Sequence, residues 1–330
     1  MNRRIYALVL CLVMVVTMFA ACGGQKAAPA PASEAPAAPA SEAPAASASE
    51  APAPAKETFK VYLITMDLMD QHWAAVDEGA KKAAGELGIE YKWTAPTNGK
   101  DDAAQIECIN NAVADGANLI LLASNGPTTQ VATLEEVSKD GVKIIYVDSP
   151  AEFPAIQTLA TNNTNAGTTA GQEMLAALKE QNVTSGKIGI VNVNSATTST
   201  VQREDGFRKA FEGSGFEILA TQYGEGQVDK SQQIATNYVT EGCVGIFGTN
   251  EGGTVGVGNA IKEAGKKIVG VGFDKSDAVL QLIKDGALLC TMAQNPYDMG
   301  YKGMKTAHAA LTGGDTGPES IDTGVSVIKK

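Results

Sequence analysis

The segment that decides the fold runs from residue 60 to residue 94 and reads KVYLITMDLMDQHWAAVDEGAKKAAGELGIEYKWT. Two short apolar runs, 60–66 and 89–93, flank an amphipathic stretch at 71–87. Short apolar runs predict buried strands, and apolar residues spaced by three and four predict a helix. Gly88 directly follows the last periodic residue, where glycine is the usual left-handed stop. The segment therefore predicts a strand, a crossover helix and a second, parallel strand.

The same alternation continues to the end of the chain and predicts an α/β protein. In a first series, further strands are predicted at 119–123 and 143–148, and helices at 101–115 and 129–139. In a second series, strands are predicted at 187–193, 216–221, 244–248, 267–273 and 288–293, and helices at 166–180, 198–212, 229–241, 253–264 and 278–284. This many parallel strands exceeds the common size of one twisted sheet, which favours two doubly wound lobes. The pattern assigns a last helix, 299–311, and a last strand, 325–328, to neither lobe.

Composition and charge exclude several classes of function. The 330 residues are 44% apolar and 19% charged, which is typical of globular proteins and too polar for a membrane-embedded bundle. The first 57 residues hold two Arg, two Lys and four Glu, so the whole net charge of −11 belongs to residues 58–330. An acidic surface of this kind repels a phosphate backbone, and binding to nucleic acid is not expected.

The N-terminus predicts an export signal. Arg3 and Arg4 precede an apolar run at 5–16 that is shorter than the roughly 20 residues of a transmembrane helix. Small residues at 20 and 21 indicate a cleavage site, and Cys22 follows them directly. This arrangement resembles the bacterial lipobox and predicts a signal peptide at 1–21 with a lipid on Cys22. The alternative is a plain secretory signal in which Cys22 has no role.

Residues 22–57 are predicted to be the lipidated cysteine and a disordered tether. The motif Ser-Glu-Ala-Pro-Ala recurs at 33, 41 and 49, and alanine and proline dominate the segment. Proline-rich chains stay extended at about 3.1 Å per residue, so the tether would reach on the order of 110 Å. It has too few large apolar groups to offset the entropy of ordering. The sequence therefore predicts a membrane-anchored protein whose folded domain is independent of its anchor.

The cysteines of the folded part predict neither disulfides nor a metal site. Cys108, Cys243 and Cys290 are odd in number and have apolar neighbours, so small buried hydrophobic residues are expected. Their spacing does not match a metal site.

Polar residues follow the predicted strands at the ends where open parallel sheets bind ligands. The candidates are Asp70, His72, Trp73, Asp148, Arg203, Asn250, Asp274 and Gln294. Each hydroxyl of a neutral polyhydroxylated ligand both donates and accepts, and its C–H faces stack on rings. Carboxylates, amides, one guanidinium and aromatic faces therefore predict a site for such a ligand.

Each candidate also has a plainer interpretation. Asn250 and Asp274 precede predicted helices and suit N-caps, and Asp148 suits a turn. Arg203 suits a solvated helix charge. Trp73 shares a helical stripe with apolar residues and suits core packing.

Enzyme signatures are absent from the sequence. It contains no Gly-x-Ser-x-Gly, no His-Glu-x-x-His and no Cys-x-x-Cys, and its histidines are His72 and His308. The glycine-rich run at 253–258 lies inside a predicted helix and not at a strand-to-helix turn. We expect no catalysis, no cofactor and no metal.

Several blocks taken together resemble the periplasmic ribose-binding proteins and their type I sugar-binding relatives over essentially all of 58–330. The blocks are DQHWAAVDEGA (70–80), IIYVD (144–148), QREDGF (202–207), GTNE (248–251), VGFD (271–274) and MAQ (292–294). The resemblance implies two lobes joined by three crossovers, near Asn162, Gln294 and Asp322. It implies an N-terminal lobe of 58–161 plus 295–322 and a C-terminal lobe of 162–294 plus 323–330.

The resemblance also implies roles for the candidate residues. Trp73 and His72 occupy aromatic positions that sandwich a sugar, and Asp70 occupies a polar contact position. The other matched positions bind hydroxyls, and they are Asp148, Arg203, Asn250, Asp274 and Gln294. Ser149 replaces the arginine of ribose binders, and Tyr223 is the substitute available for an aromatic expected before Asp229. A pentose, a hexose, a polyol or a related small polar ligand all remain open.

The resulting prediction is a monomeric, extracytoplasmic, lipid-anchored protein that captures a monosaccharide-like ligand and delivers it to an ABC transporter permease. The alternative is a sensory protein that presents its ligand to a chemoreceptor or a histidine kinase. A DNA-binding repressor shares the lobes but needs a basic helix-turn-helix where this chain has a signal and a tether. An extracellular enzyme is a fourth possibility, which turnover of a candidate sugar would reveal.

Overall fold

A computed structural model describes residues 58–97 and 101–330. The predicted signal peptide, Cys22 and the tether lie outside the described residues. All the described residues belong to one unit, Lys56–Lys330.

The described residues form two sheets. In each sheet six strands form one hydrogen-bonded row, and one further short strand belongs to the second sheet. The strands are β1 Lys60–Ile64, β2 Glu90–Thr94, β3 Leu119–Leu122, β4 Lys143–Val147, β5 Thr158–Ala160, β6 Gly186–Asn192, β7 Phe216–Ile218, β8 Gln222–Tyr223, β9 Cys243–Gly248, β10 Val269–Phe273, β11 Cys290–Gln294, β12 Ser320–Asp322 and β13 Val325–Lys329. The first sheet has the order β12-β5-β4-β3-β1-β2, and the second has the order β13-β11-β10-β9-β6-β7. The short β8 pairs with β6 beside the second row.

Helices connect the strands in both sheets. They are α1 Gln71–Leu87, α2 Asp102–Ala114, α3 Val131–Lys139, α4 Asn163–Glu180, α5 Thr198–Ala210, α6 Val228–Thr240, α7 Glu251–Ala264, α8 Asp277–Asp285 and α9 Pro296–Thr312. Helix α1 has the predicted limits, and Gly88 ends it in the left-handed conformation with φ of 70°.

Burial on both faces explains why the central strands are apolar without alternation. Every residue of β3 has no exposed surface, because α-helices cover the two sides of a parallel sheet. One core cluster lies between the first sheet and the pair α1 and α9, and a second lies on its other face. The second sheet is likewise covered on both faces.

The chain crosses between the two sheets three times within the described residues. It leaves the first sheet after β5, returns after β11 to form α9 and β12, and leaves again for β13. Helix α9 packs on α1 and against β4 of the first sheet. The predicted fold class, two doubly wound parallel-sheet lobes joined by three crossovers, is confirmed.

The structure differs from the prediction at the sheet edges. Two three-residue strands, β5 and β12, were not predicted, and they pair with each other in parallel. Of the predicted strand at 216–221, only Phe216–Ile218 forms a strand, β7, and the short β8 begins just after it at Gln222. The last strand, β13, runs antiparallel to β11, so the second sheet is not wholly parallel. Strands this short carry too few alternations for a pattern to identify them.

A pair of glycines lets α4 and α5 approach closely. A Cβ atom on Gly167 would lie 2.0 Å from the carbonyl oxygen of Arg203, and one on Gly206 would lie 2.0 Å from that of Thr164. Both distances are shorter than any real contact, so only glycine permits this packing. The contact with Gly167 sets the backbone position of Arg203, one of the predicted site residues.

The described residues hold no helix that is both long and apolar enough to cross a membrane. Among them, no cluster of three His, Cys, Asp or Glu side chains suits a metal ion. Cys243 and Cys290 are free and buried, as predicted. Cys108 is also free but only half-buried, so the prediction of a buried residue is wrong there.

Candidate functional site

All eight predicted site residues line one small cavity at the carboxyl ends of the strands of both sheets. Asp70, His72, Trp73 and Asp148 come from the first series, and Arg203, Asn250, Asp274 and Gln294 come from the second. Met66, Val193, Ser199 and Thr200 complete the lining. The two series therefore meet at a single polar site.

Asp148 and Asp274 occupy matching positions in the two sheets. Each directly follows a strand, β4 or β10, and each has a left-handed backbone with φ of 64° and 73°. Non-glycine residues rarely adopt this conformation, and such strain is concentrated at functional sites. The left-handed turn directs both carboxylates at the same neighbour, His72.

His72 lies between these two carboxylates. Its Nε2 is 3.2 Å from Asp148 Oδ2, and its Nδ1 is 3.4 Å from Asp274 Oδ1. The imidazole is buried and contacts the edge of the Trp73 ring. The resemblance assigns this position to stacking, and the structure adds an ionic bridge between residues of the two sheets.

The electrostatics of the site favour a charged histidine. Burial opposes protonation, but the carboxylates of Asp274 and Asp148 outweigh it and raise the pKa of His72 to about 10. Burial would raise the pKa of Asp274, but His72 and Arg203 lower it to about 2. The same two cations, chiefly His72, hold the pKa of Asp148 below its ordinary value against burial. The two anions Asp148 and Asp274 are thus matched by the two cations His72 and Arg203, and the third carboxylate that lines the cavity, Asp70, accepts from Asn250.

Arg203 is held rigidly from three sides. Its Nε donates to Asn163 Oδ1 at 2.8 Å, and its Nη1 donates to the carbonyl oxygen of Thr249 at 2.9 Å. Its guanidinium lies over the ring of Phe273, 4.3 Å from the centroid. The remaining Nη2 lies 3.6 Å from Asp148 Oδ1. Arg203 is 2% exposed, so the interpretation as a solvated helix charge is wrong.

Gln294 and Asn250 belong to the same polar network. Gln294 donates to Asp274 Oδ1 at 2.6 Å and accepts from the hydroxyl of Thr161 at 2.9 Å. Asn250 donates to Asp70 Oδ2 at 3.4 Å, which joins residues of the two series. These bonds fix the two amides at the edge of the cavity.

The structure shows which of the plainer interpretations, helix capping and core packing, apply. Asn250 does cap α7, since its side chain accepts the N–H of Gly253 at 3.1 Å while its amide nitrogen reaches Asp70. Asp274 is not the cap of α8, because Ser276 performs that function. Trp73 is both core and site: it packs in the first core cluster and also lines the cavity.

Four buried polar atoms around the cavity have no hydrogen-bond partner among the described residues. Three are donors, His72 Nε2, Trp73 Nε1 and Arg203 Nη2, and one is an acceptor, Asp148 Oδ1. The ionic contacts of His72 and Arg203 with Asp148 lack hydrogen-bond geometry. Leaving such groups unpaired costs about 1–3 kcal/mol each, so they indicate a place where a ligand binds.

Ser199 and Thr200, in the first turn of α5, line the cavity but were not predicted, and Asn125 is a further polar residue that does not line it. Asn125 follows β3 and is buried, and within the described part of the chain neither of its side-chain amide atoms has a hydrogen-bond partner. The hydroxyl of Thr197 donates to its carbonyl oxygen at 2.8 Å across the two series. The strand-end rule could have identified Asn125, and helical spacing back from Arg203 could have identified Ser199 and Thr200. Tyr223, considered as a substitute aromatic, is 46% exposed and does not line the cavity.

Two sheets that enclose one buried polar cavity define a two-lobed solute-binding protein. Comparisons with known proteins agree with this class: residues 61–315 match the model of the periplasmic binding protein domain. The chain belongs to that family. The family binds solutes without transforming them, and it operates outside the cytoplasm.

Relatives and solved structures support the same conclusion. The ribose import binding protein of Haemophilus influenzae is 28% identical over 265 residues, which cover 78% of this chain and 87% of that protein. A carbohydrate transporter solute-binding protein from Agrobacterium radiobacter, in complex with D-arabinose, has a TM-score of 0.80 at 30% identity, with 84% of this chain and 96% of that chain covered. An ABC transporter solute-binding protein from Agrobacterium vitis with bound D-fucose has a TM-score of 0.77 at 29% identity, with coverage of 82% and 95%.

Proposed function

We propose that this protein binds a neutral monosaccharide or polyol between its two sheets. The unpartnered buried atoms at the cavity carry the proposal, because they include donors from Trp73, His72 and Arg203 and an acceptor from Asp148. A hydroxyl group donates and accepts at once, so vicinal hydroxyls satisfy both kinds of atom. The ring of Trp73 offers an apolar face to the C–H groups of a sugar.

The pairing of the central charged side chains supports a neutral ligand. The carboxylates of Asp148 and Asp274 are offset by His72 and Arg203 at distances of 3.2–3.6 Å. A ligand with a net charge would leave that charge uncompensated in a buried site, which is costly. The relatives named with D-ribose, D-arabinose and D-fucose bind ligands of this neutral class.

We further propose that the bound ligand is delivered to an ABC transporter permease. The supporting observation is the naming of the relatives as import-binding and transporter solute-binding proteins. The functional lobes in this proposal are 58–161 with 295–322 and 162–294 with 323–330, and the protein acts as a monomer. Sensing through a chemoreceptor or a kinase is the second candidate, and a permease or kinase gene beside this one separates the two.

A thermal melt of residues 58–330 against a panel of sugars tests ligand binding. A pentose, hexose or polyol at a hundredfold excess over its Kd should raise the free energy of unfolding by about 2.7 kcal/mol, because it binds only the folded form. Amino acids at the same concentration serve as the control panel. If amino acids move the midpoint while sugars, polyols and nucleosides leave it unchanged, the sugar proposal is wrong.

Membrane attachment through Cys22 is a separate proposal. It rests on the residues around Cys22, which resemble a lipobox, and on the proline-rich segment that follows them. A diacylglyceryl group would supply two acyl chains, and two chains suffice for stable anchoring where one is marginal.

Replacing Cys22 with serine should release the protein from the membrane fraction while ligand binding is unchanged. Cell fractionation followed by binding measurements checks both parts, and replacement of the other N-terminal cysteine, Cys11→Ser, is the matched control that should stay membrane-bound. Mass spectrometry of the mature N-terminus shows whether Cys22 carries a lipid. An unmodified Cys22, or a mature chain that begins elsewhere, would refute the anchor.

A further inference from the structure

The first amides of α1 are hydrogen-bonded by a carboxylate from the opposite series. Glu251 Oε1 accepts the N–H of Gln71 at 3.2 Å, and Glu251 Oε2 accepts the N–H of His72 at 3.2 Å. These residues are separated by about half the chain, at 180 and 179 positions. Each helix begins with N–H groups that have no partner within the helix, so Glu251 acts as a cap supplied from outside α1.

The residue that would ordinarily cap α1 does not do so. Asp70 stands at the N-cap position, but its side chain makes no capping hydrogen bond. Its carboxylate instead accepts from Asn250, which is the N-cap residue of α7. The beginnings of α1 and α7 therefore face each other: two amides of α1 donate to the Glu251 carboxylate, and the Asn250 amide donates to the Asp70 carboxylate.

Glu251 is well placed for this role. It is the first residue of α7, so its carboxylate lies near the positive ends of two helix dipoles. Glu251 is 8% exposed, and its side chain contacts the first series while its backbone belongs to the second. Burial, together with the charges of Asp70 and Asp274, raises the pKa of Glu251 to about 7 against the two N–H bonds from α1.

The geometry points to Glu251 as a positioning residue that holds the start of α1 against the second series in the ligand-binding form of the protein. This inference rests on the proposed function, because the residues that Glu251 positions, His72 and Trp73, are those assigned to the ligand. His72 provides one of the two amides, and Trp73 is the next residue along the helix. Loss of the cap would loosen both rings without removing any group that touches the cavity through its own side chain.

Amide hydrogen exchange in two variants tests the inference directly. In Glu251→Ala the amides of Gln71 and His72 should exchange at least about tenfold faster than in the wild type, since their acceptor is gone. In Glu251→Gln, which keeps one acceptor oxygen at the same place, exchange should be intermediate. Exchange is measured by NMR on residues 58–330, without sugar and with saturating D-arabinose, D-ribose or D-fucose.

The matched control is Asp298→Asn. Asp298 is also an acidic residue in the first turn of a helix, α9, but it pairs with Lys302 of its own helix. This variant measures the effect of losing a favourable negative charge at the start of a helix. It should leave exchange at Gln71 and His72 unchanged.

Binding affinity provides the second measurement. For whichever of the three sugars the wild type binds, Glu251→Ala should lower affinity about 5- to 30-fold, chiefly through faster release, and Glu251→Gln should recover part of the loss. Equal exchange of the two amides in Glu251→Ala and the wild type, with and without sugar, overturns the inference. The two proposals fail separately: a wild type that binds neither sugars nor polyols refutes the proposed function, whereas unchanged exchange of the two amides in Glu251→Ala refutes the positioning role.

Discussion

Replacing His72 with phenylalanine should destabilise the protein by about 3–5 kcal/mol and abolish tight ligand binding. The substitution keeps an aromatic ring but removes the cation that lies between Asp148 and Asp274. Breaking a buried ion pair by removing one partner leaves an uncompensated charge, which is the costly case. Here Arg203 alone would have to offset two buried carboxylates. Chemical denaturation and calorimetric titration measure the two effects.

The double variant His72→Phe/Asp274→Asn is the control for this interpretation. It removes one of the two carboxylates, so it should recover part of the stability lost in the single variant. A His72→Phe protein with wild-type stability and affinity would show that the imidazole carries no charge in the folded state.

The same ion pair predicts a pH dependence. The pKa of His72 is raised from 6.5 to about 10 on folding, so its stabilising contribution is fully present below pH 6.5 and is lost as the pH rises through about 10. The difference in unfolding free energy between the wild type and His72→Phe should therefore shrink over this range. A difference that stays constant from pH 6 to pH 10 would contradict the assignment.

Replacing Arg203 with methionine should also cost about 3–5 kcal/mol and eliminate binding. Methionine keeps most of the apolar volume but leaves Asn163 and the Thr249 carbonyl without their donor, and it removes the cation beside Asp148. Buried acceptors that lose a charged donor carry the full desolvation penalty. Denaturation curves and ligand titration again provide the measurements.

Arg208→Met is the matched control for this second prediction. Arg208 lies on the same helix and pairs with Glu204 at 2.8 Å, but its side chain is 36% exposed. Partly exposed pairs contribute little, so this variant should lose no more than about 1 kcal/mol. Equal losses in the two arginine variants would mean that Arg203 has no special place in the site.

The local sequence pattern was sufficient to predict most of the strands and helices. Strands such as β3 are buried on both faces and therefore read as continuous apolar runs, and the helices between them carry an apolar stripe that a 3.6-residue period reveals. The exceptions are short or at an edge. Strands β5 and β12 have three residues each and exist because they pair with each other, which no local pattern records.

The candidate site was predictable for a topological reason. The carboxyl ends of parallel strands meet at one edge of a sheet, so residues just after strands converge whatever their separation in the chain. This rule selected Asp148, Asp274 and Gln294, all of which line the cavity. It could not select Glu251, since a glutamate in the first turn of a helix is ordinary and its partner amides belong to another helix.

By itself, the sequence determined the two doubly wound lobes and the side chains that their strand ends bring together, because periodicity and strand order act within short stretches of chain. Tertiary structure alone decided the chemical state of those side chains. His72 is a cation because Asp148 and Asp274 contact it from the two series, and both carboxylates reach it through left-handed turns. Charge, burial and hydrogen bonding depend on neighbours within a few ångströms, and those neighbours come from distant parts of the chain only when it folds.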